Sequence, residues 1–548
     1  MNPHPLSRRS VLGGLAAIAL GGPVAVAQAR ATAQERTAGD AAVPHAGAPA
    51  AGGGHASARQ MRGMWIASVV NTNWPSRPGL SAAQQKSEFL SWLDLAVARR
   101  LNAVFVQVRP TADAFWPSAL EPWSQYLTGV QGRDPGYDPL GFMVEAAHRR
   151  GLAFHAWFNP YRVSMQGDLR RLAPEHPARR NPGWTVTYDG KLYYNPGLPK
   201  VRAFVQDAIM DAVTRYDIDG VHFDDYFYPY PVPGKQFNDA AAYARHGSGF
   251  ADKAAWRRHN VNLLIKEMGE RVRKAKPYAQ WGVSPFGIWR NAGTDRHGSA
   301  TSGSQSYDDQ YADSRLWVRK GWIDYVVPQL YWYIGMKAAD YAVLAPWWAR
   351  LVEDTRTLLW IGQGAYNVGV AGLPAPWQDP AELSRHLTMN RDHPGIGGDV
   401  YFSAGDLRAD RIGAIQRLQR DHYQRPALPP VPPRLASGPR PHRPVITRAA
   451  AARGGVALSV RATGHAEPRL YAVYRFDGRD EKTAGGRQGG GRGPRARERD
   501  LAAHLVAVLP GGRRAEYTDP GGRTGSRYRV TALDRANRQS HPSPTRRA

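Results

Sequence analysis

The sequence contains no cysteine in its 548 residues, which excludes disulfides, thiolate metal sites, a catalytic thiol and a lipid-modified cysteine after a leader peptide. A chain built this way has no covalent cross-link to supplement its apolar core. No stretch offers the roughly 20 consecutive apolar residues of a transmembrane helix, and the longest candidate, Leu15 to Val26, is broken by Gly21, Gly22 and Pro23. Negative charge is scarce: 46 Asp and Glu stand against 72 Lys and Arg, a formal net charge of +26. That balance suits an anionic setting such as cell wall, membrane surface or nucleic acid without choosing among them. Nucleic acid is the weakest of the three, because no binding motif accompanies the basic residues, which gather in the tail.

Ser7-Arg8-Arg9-Ser10-Val11-Leu12-Gly13 is a twin-arginine pattern ahead of a weakly apolar stretch with small-residue cleavage options near Ala27 and Ala29. It predicts an export signal over residues 1–29 and a protein of the periplasm or cell envelope. Residues 30–58, rich in Ala, Gly and His, carry too few large apolar side chains to fold and predict a flexible tether.

From Met61 the texture changes to short apolar runs alternating with helical patterns. The runs begin at Gly63, Ala103, Leu152, Ile218, Gln280, Ile323, Leu358 and Gly398, and amphipathic segments such as Glu88–Arg100, Pro139–Arg150 and Val201–Arg215 separate them. Eight strands buried on both faces, with helices between, predict an α/β fold of the (β/α)8 TIM barrel type over 59–425. Such barrels place their chemistry where strands open into loops. Residues 426–444 begin with a proline-rich stretch that reads as a stiff spacer. Beyond it, alternating runs through 445–548 predict a small β-sandwich that looks like a fibronectin type III module, with Tyr528-Arg529-Val530-Thr531-Ala532 as its tyrosine strand and the Gly/Arg-rich 484–499 as a disordered insert.

The stretch on which the barrel turns is Ile218-Asp219-Gly220-Val221-His222-Phe223-Asp224-Asp225-Tyr226-Phe227-Tyr228-Pro229. Buried carboxylates need partners, and two adjacent ones at a strand end point to chemistry. Around it stand Arg62-Gly63-Met64-Trp65, Gln107-Val108-Arg109-Pro110, Asp113-Ala114-Phe115, Glu121-Pro122-Trp123-Ser124, His155-Ala156-Trp157-Phe158-Asn159-Pro160-Tyr161-Arg162, Ser284-Pro285-Phe286-Gly287-Ile288-Trp289-Arg290 and Pro328-Gln329-Leu330-Tyr331-Trp332. In this order the motifs resemble the glycosyl-hydrolase-like family ten barrels of bacterial envelopes, whose members include hydrolases of peptide-stripped peptidoglycan strands. The resemblance implies an eight-stranded barrel and a glycan substrate.

Glycoside cleavage needs a proton donor and a second carboxylate or its equivalent. Asp224 and Asp225 are the expected catalytic pair. A regular strand would turn them to opposite faces, so a kink at the mouth is expected. One would orient a substrate acetamido group that acts as nucleophile, and the other would protonate the leaving oxygen. Rival carboxyls are Asp113, Glu121 and Asp309. Substrate contacts are expected from Arg109, Asp113, His155, Asn159, Arg162, His222, Tyr226, Trp289, Arg290, Asp309, Gln329, Tyr331 and Trp332, whose aromatic faces and hydrogen-bonding groups suit sugars. Two alternatives remain: a metal-dependent hydrolase or deacetylase using His155, His222, Asp224 and Asp225, and a non-catalytic glycan-binding barrel. The preferred reading involves no metal or cofactor and a monomer.

Overall fold

The computed structural model describes residues 59–477 and 501–548. The twin-arginine segment, the 30–58 stretch and the 484–499 insert lie outside them.

Eight parallel strands close into a barrel: β1 (Met61–Ile66), β2 (Ala103–Arg109), β3 (Ala153–Phe158), β4 (Gly220–Phe223), β5 (Gln280–Val283), β6 in two pieces (Tyr325–Val326 and Gln329–Leu330), β7 (Leu358–Gln363) and β8 (Ile396–Tyr401). Closure comes at β1, whose Met61 is in register with Gly398 on β8 while its Gly63 faces Ala103 on β2. Eight helices connect and cover the strands: α1 (Ala82–Ala98), α2 (Pro139–His148), α3 (Pro199–Arg215), α4 (Lys253–Ala275), α5 (Ser314–Arg319), α6 (Tyr341–Val352), α7 (Glu382–Asn390) and α8 (Ala414–His422). In α1 the buried face is Phe89, Trp92, Leu93 and Ala96, and Ser81 and Gln84 form a reciprocal cap at its start. Strand β6 breaks because Pro328 has no amide hydrogen to give a ladder, though its carbonyl still accepts from Gly362 N at 2.9 Å. The break turns Gln329 toward the mouth.

The barrel interior is filled by large rings rather than branched aliphatics: Trp65, Phe105, Trp157, Tyr325 and Trp360 form one buried cluster. Phe105 stacks on His155 at 4.4 Å, and Tyr325 on Trp360 at 4.3 Å. Glycines on facing strands make the room. A Cβ at Gly220 would meet the His155 ring at 2.2 Å, and one at Gly282 would meet the Tyr325 ring at the same distance. Both neighbours are themselves fully packed, so Gly282→Ala is expected to cost about 1–3 kcal/mol, read by urea denaturation.

Long excursions at the C-terminal ends of the strands wall the mouth. The one after β3 carries its own three-stranded antiparallel sheet, Arg162–Ser164, Thr185–Tyr188 and Lys191–Tyr194.

After the barrel come β9 (Val445–Ala452), β10 (Gly455–Arg461), β11 (Leu470–Phe476), β12 (Leu505–Pro510), β13 (Arg514–Asp519), β14 (Arg527–Leu533) and β15 (Arg546–Arg547). They form antiparallel sheets ordered β9-β10-β13 and β12-β11-β14-β15. Val456, Leu458 and Val460 of one pack with Tyr471, Val473, Tyr528 and Val530 of the other in a shared core. The sandwich docks on the N-terminal end of the barrel, away from the mouth. Arg535 pairs with Asp217 at 2.6 Å and Asp219 at 3.3 Å, and Arg469 donates to the Leu152 carbonyl at 2.7 Å. Burial pushes the Asp219 carboxyl up, but Arg469, His148 and Arg535 outweigh it and hold the group well below the ordinary carboxylate range. The proline-rich stretch is correspondingly no free spacer. Leu428 is fully buried, its carbonyl accepts from Gln60 N at 2.9 Å, and Asn537 of the sandwich donates to the Pro430 carbonyl at 2.9 Å.

Candidate active site

Strand β4 ends at Phe223, so Asp224 and Asp225 lie on irregular backbone where the alternation of a strand no longer applies. Both turn into the mouth, 6% and 5% exposed. Asp224 meets nitrogen donors only. Its Oδ2 accepts from Trp157 Nε1 at 3.1 Å and from Asn159 Nδ2, and its Oδ1 accepts from the Tyr226 amide at 3.1 Å. Asn159 is fixed in turn by Gln107 and by Arg162 Nη2 at 2.8 Å, and Gln107 is anchored by the amides of Ser68 and Val69 at the end of β1. The ends of four strands therefore hold this one carboxylate.

Asp225 has a different set of neighbours. Its Oδ2 accepts from the Tyr230 hydroxyl, and its Oδ1 from Gln329 Nε2 at 3.0 Å, an amide that also donates to the Ser284 carbonyl at 2.8 Å. Burial pushes both carboxyls up; Asp224 reaches about 6, with the charge of Asp225 adding to the effect. They titrate as a pair that takes up its first proton above the ordinary carboxylate range. A protonated Asp225 can donate to the Tyr230 oxygen, whereas Asp224 faces groups that can only donate. Hydrogen bonding therefore favours Asp225 as the member of the pair that carries a proton, since it alone has an acceptor to give it to.

Half-buried rings stand at the mouth, Tyr226 and Tyr331 beside the pair and Tyr366 and Phe402 against Tyr331. Tyr331 lies 5.6 Å from the Tyr366 ring and 6.1 Å from Phe402, and the Arg162 guanidinium sits 5.1 Å over Tyr226. Of the expected contacts, Asn159, Arg162, Tyr226, Gln329 and Tyr331 thus gather at Asp224 and Asp225, with Asn159 supporting Asp224 from a fully buried position.

The others do not. Arg109 is fully buried and forked onto Glu121, with a further bond to the Asn159 carbonyl, so it braces the loops behind the mouth and has no donor for a substrate. Glu121 is thereby removed as a rival carboxyl. Asp113 is fully buried on Thr111 and Gln131, and burial lifts it to about 7. His155 and His222 point into the barrel, where both meet the Tyr325 hydroxyl, at 3.1 and 3.2 Å. Sharing a strand face with Asp224 does not bring His222 to it, because the strand stops between them. Burial pushes His155 down to about 4, so it stays neutral. Among the described residues no three His, Cys, Asp or Glu side chains converge as a metal-ligand set. Trp332 packs behind Phe286 at 5.3 Å. Trp289, Arg290 and Asp309 belong to the excursion after β5: Trp289 donates to Asp313, Arg290 pairs with Asp308 at 2.9 Å, and Asp309 accepts from Ser304 and the Gln305 amide.

Sequence reasoning passed over Tyr230 and Gln107, and gave Trp157 no specific contact. Tyr230 could have been suspected from Tyr228-Pro229-Tyr230-Pro231, where two prolines fold the chain back over the aspartates.

Comparison with known proteins adds to this geometry. The model of the family Glycosyl hydrolase-like 10 matches residues 60–379. Glycosyl hydrolase YngK of Bacillus subtilis strain 168 is 46% identical over 436 residues, 78% of this chain and 85% of its own length. Glycosyl hydrolase DigH of Escherichia coli K12 is 39% identical over 387 residues, 67% of this chain and 87% of its own. Among solved structures, the PgaB (BpsB) glycoside hydrolase domain from Bordetella bronchiseptica aligns with a TM-score of 0.45 at 14% identity, over 66% of this chain and 99% of that one. The family match over most of the barrel, with the identity to these two glycosyl hydrolases, shows that the chain belongs to the Glycosyl hydrolase-like 10 family and is a glycoside hydrolase.

Proposed function

We propose that this glycoside hydrolase is exported to the cell envelope and cleaves amino-sugar glycan, with peptide-free peptidoglycan strands as its substrate. The observation that carries the reading is the adjacent pair Asp224 and Asp225, one held by nitrogen donors and the other on a reversible hydroxyl. Retaining and inverting glycosidases of the ordinary kinds set two carboxyls about 5–9.5 Å apart across the sugar. Two consecutive residues leaving one strand end sit side by side instead, and Asp113, Glu121 and Asp309 are each tied elsewhere. The nucleophile then comes from the substrate.

In this mechanism the Asp224 carboxylate accepts the acetamido N–H and turns the acetamido oxygen toward the anomeric carbon. That oxygen forms a bond to the carbon as the glycosidic bond breaks, and Asp225 gives its proton to the leaving oxygen. Water then opens the cyclic intermediate, returning its proton to Asp225. The rings of Tyr331, Tyr366 and Phe402 offer apolar faces to the sugars. Export is supported by the twin-arginine segment. The three-on-four strand order and the Tyr528 hydroxyl bonded to Asp519 at 3.0 Å support a fibronectin type III module.

Mass spectrometry of products from peptide-free and intact peptidoglycan tests the reading. New reducing ends from the peptide-free strands are expected; intact glycan from every wall preparation would overturn it. The same assay carries a pH prediction. The acid is present only below the pair's apparent pKa, which burial lifts above the ordinary carboxylate value, so kcat/KM is expected to fall as pH rises through that raised pKa. Removing the Tyr230 donor withdraws a bond that stabilises the ionised Asp225, so Tyr230→Phe is expected to move this limb to higher pH.

A further inference from the structure

The way a buried side-chain amide faces decides whether its neighbour meets a donor or an acceptor. At Asp224 that orientation is dictated from a distance. Gln107 is fully buried, and its Oε1 accepts from the Ser68 and Val69 amides, both at 2.9 Å. A backbone N–H can only donate, so the Gln107 nitrogen must face the other way, where it donates to Asn159 Oδ1. Arg162 Nη2 donates to the same oxygen at 2.8 Å, and a guanidinium has no acceptor. Two fixed donors therefore claim the Asn159 oxygen, which leaves its Nδ2 pointing at Asp224. Reversing that amide would set donor against donor at Arg162 and acceptor against acceptor at the carboxylate. The Asn159 backbone cannot shift to relieve this, because its amide donates to the Arg109 carbonyl at 2.9 Å and its carbonyl accepts from the Arg109 side chain.

The turn that supplies the first two donors is itself costly. Val70, a β-branched residue, sits at φ 52° beside Asn71 at φ 54°, and such strain persists only where the surroundings impose it. Ser68 Oγ ties the turn to β2 a second time, donating to the Gln107 carbonyl at 2.7 Å. At the far end of the relay, Trp157 and Asn159 fill both lone pairs of Asp224 Oδ2, and the Tyr226 amide fills one of Oδ1. One lone pair is left, enough to accept a single N–H from a ligand. The titratable groups around Asp224 are Asp225, Arg162 and the hydroxyls of Tyr226, Tyr230 and Tyr331; of these Arg162 carries the positive charge that favours an ionised carboxylate.

We propose that Gln107 and Arg162 are positioning residues that act through Asn159 to keep Asp224 the unprotonated member of the pair. What Asp224 then does for a bound sugar rests on the function proposed above. Its protonation does not, because it is measured without turnover.

The experiment uses the full chain carrying Asp225→Asn, in which Asp224 titrates alone, with carbon-13 in the aspartate carboxyls. NMR follows the Asp224 signal through a pH titration, the signal being identified by its loss in Asp224→Asn. Gln107→Met is expected to raise the Asp224 midpoint by about half a pH unit or more, because a hydrogen bond to the charged form is weakened. Arg162→Met leaves the Ser68 and Val69 amides on Gln107 and is expected to raise the midpoint further, by also withdrawing a positive charge. In an Asn159→Ala background, Gln107→Met is expected to leave the midpoint in place and Arg162→Met to keep only the effect of its charge. With Asp225 intact, the acidic limb of kcat/KM is expected to move up with the midpoint. A midpoint that stays put in Gln107→Met while the melting temperature falls would overturn the proposal, leaving Gln107 a brace for the loop. A Gln107→Met shift that survives without Asn159 would overturn it too, as would a raised KM with an unmoved midpoint in Arg162→Met, which makes Arg162 a substrate contact. A parent chain that cleaves no glycan would sink the proposed function, while the titration still decides whether the relay sets the charge of Asp224.

Discussion

Asp225→Asn is expected to lower the rate of glycan cleavage by about 10²–10⁴-fold, the usual contribution of a positioned acid, with no loss of melting temperature. The stability half of that expectation follows from sign. Burial raises the Asp225 carboxyl above its unfolded value, so the ionised form disfavours the fold at neutral pH, and an amide removes that cost. Asparagine can also keep both neighbours, accepting from Gln329 and donating to the Tyr230 oxygen. Asp224→Asn should abolish cleavage too, but with a different thermal signature. An amide nitrogen there meets Trp157, Asn159 or Tyr226 donor to donor, a mismatch of about 1–3 kcal/mol. Calorimetry beside a reducing-end assay reads both variants. Cleavage that survives in Asp225→Asn would end its assignment as the acid.

Glu121→Gln is the second large expectation, and its effect is on stability. Glu121 and Arg109 are both without solvent contact and joined by two bonds, and the same guanidinium also holds the Asn159 and Pro160 carbonyls. Removing one charge strands the other in the interior, at a cost of about 3–5 kcal/mol. Urea denaturation should show this loss, and Arg109→Met combined with Glu121→Leu should recover much of it, because an apolar pair leaves no buried charge. If Arg109 instead bound substrate, its replacement by Met would raise KM and leave the unfolding midpoint in place.

The barrel was readable because each buried strand is a short apolar run and each run was counted. That two acids would meet at the mouth was readable because two carboxylates at the end of such a run have few structural reasons to be there. Arg109 misled because an arginine at a strand end looks the same whether it faces a ligand or a carboxylate twelve residues on. His222 misled because its parity with Asp224 assumed a strand that in fact ends at Phe223. Trp289, Arg290 and Asp309 share the loop after β5 with residues that line the mouth, but a loop of about thirty residues has room for two separate surfaces.

Local periodicity and residue chemistry, read from the chain alone, settled the order of strands and helices, the position of the acids at the end of the fourth strand, and the lack of any disulfide to hold the protein. Folding decided which polar groups meet: Gln329 reaches Asp225 across 104 residues and Trp157 reaches Asp224 across 67. It also decided that the sandwich sits beneath the barrel instead of at its mouth, through ion pairs such as Arg535 with Asp217, 318 residues away. Those pairings are set by barrel closure and by docking between distant surfaces, and neither leaves a periodic trace in the sequence that could announce it.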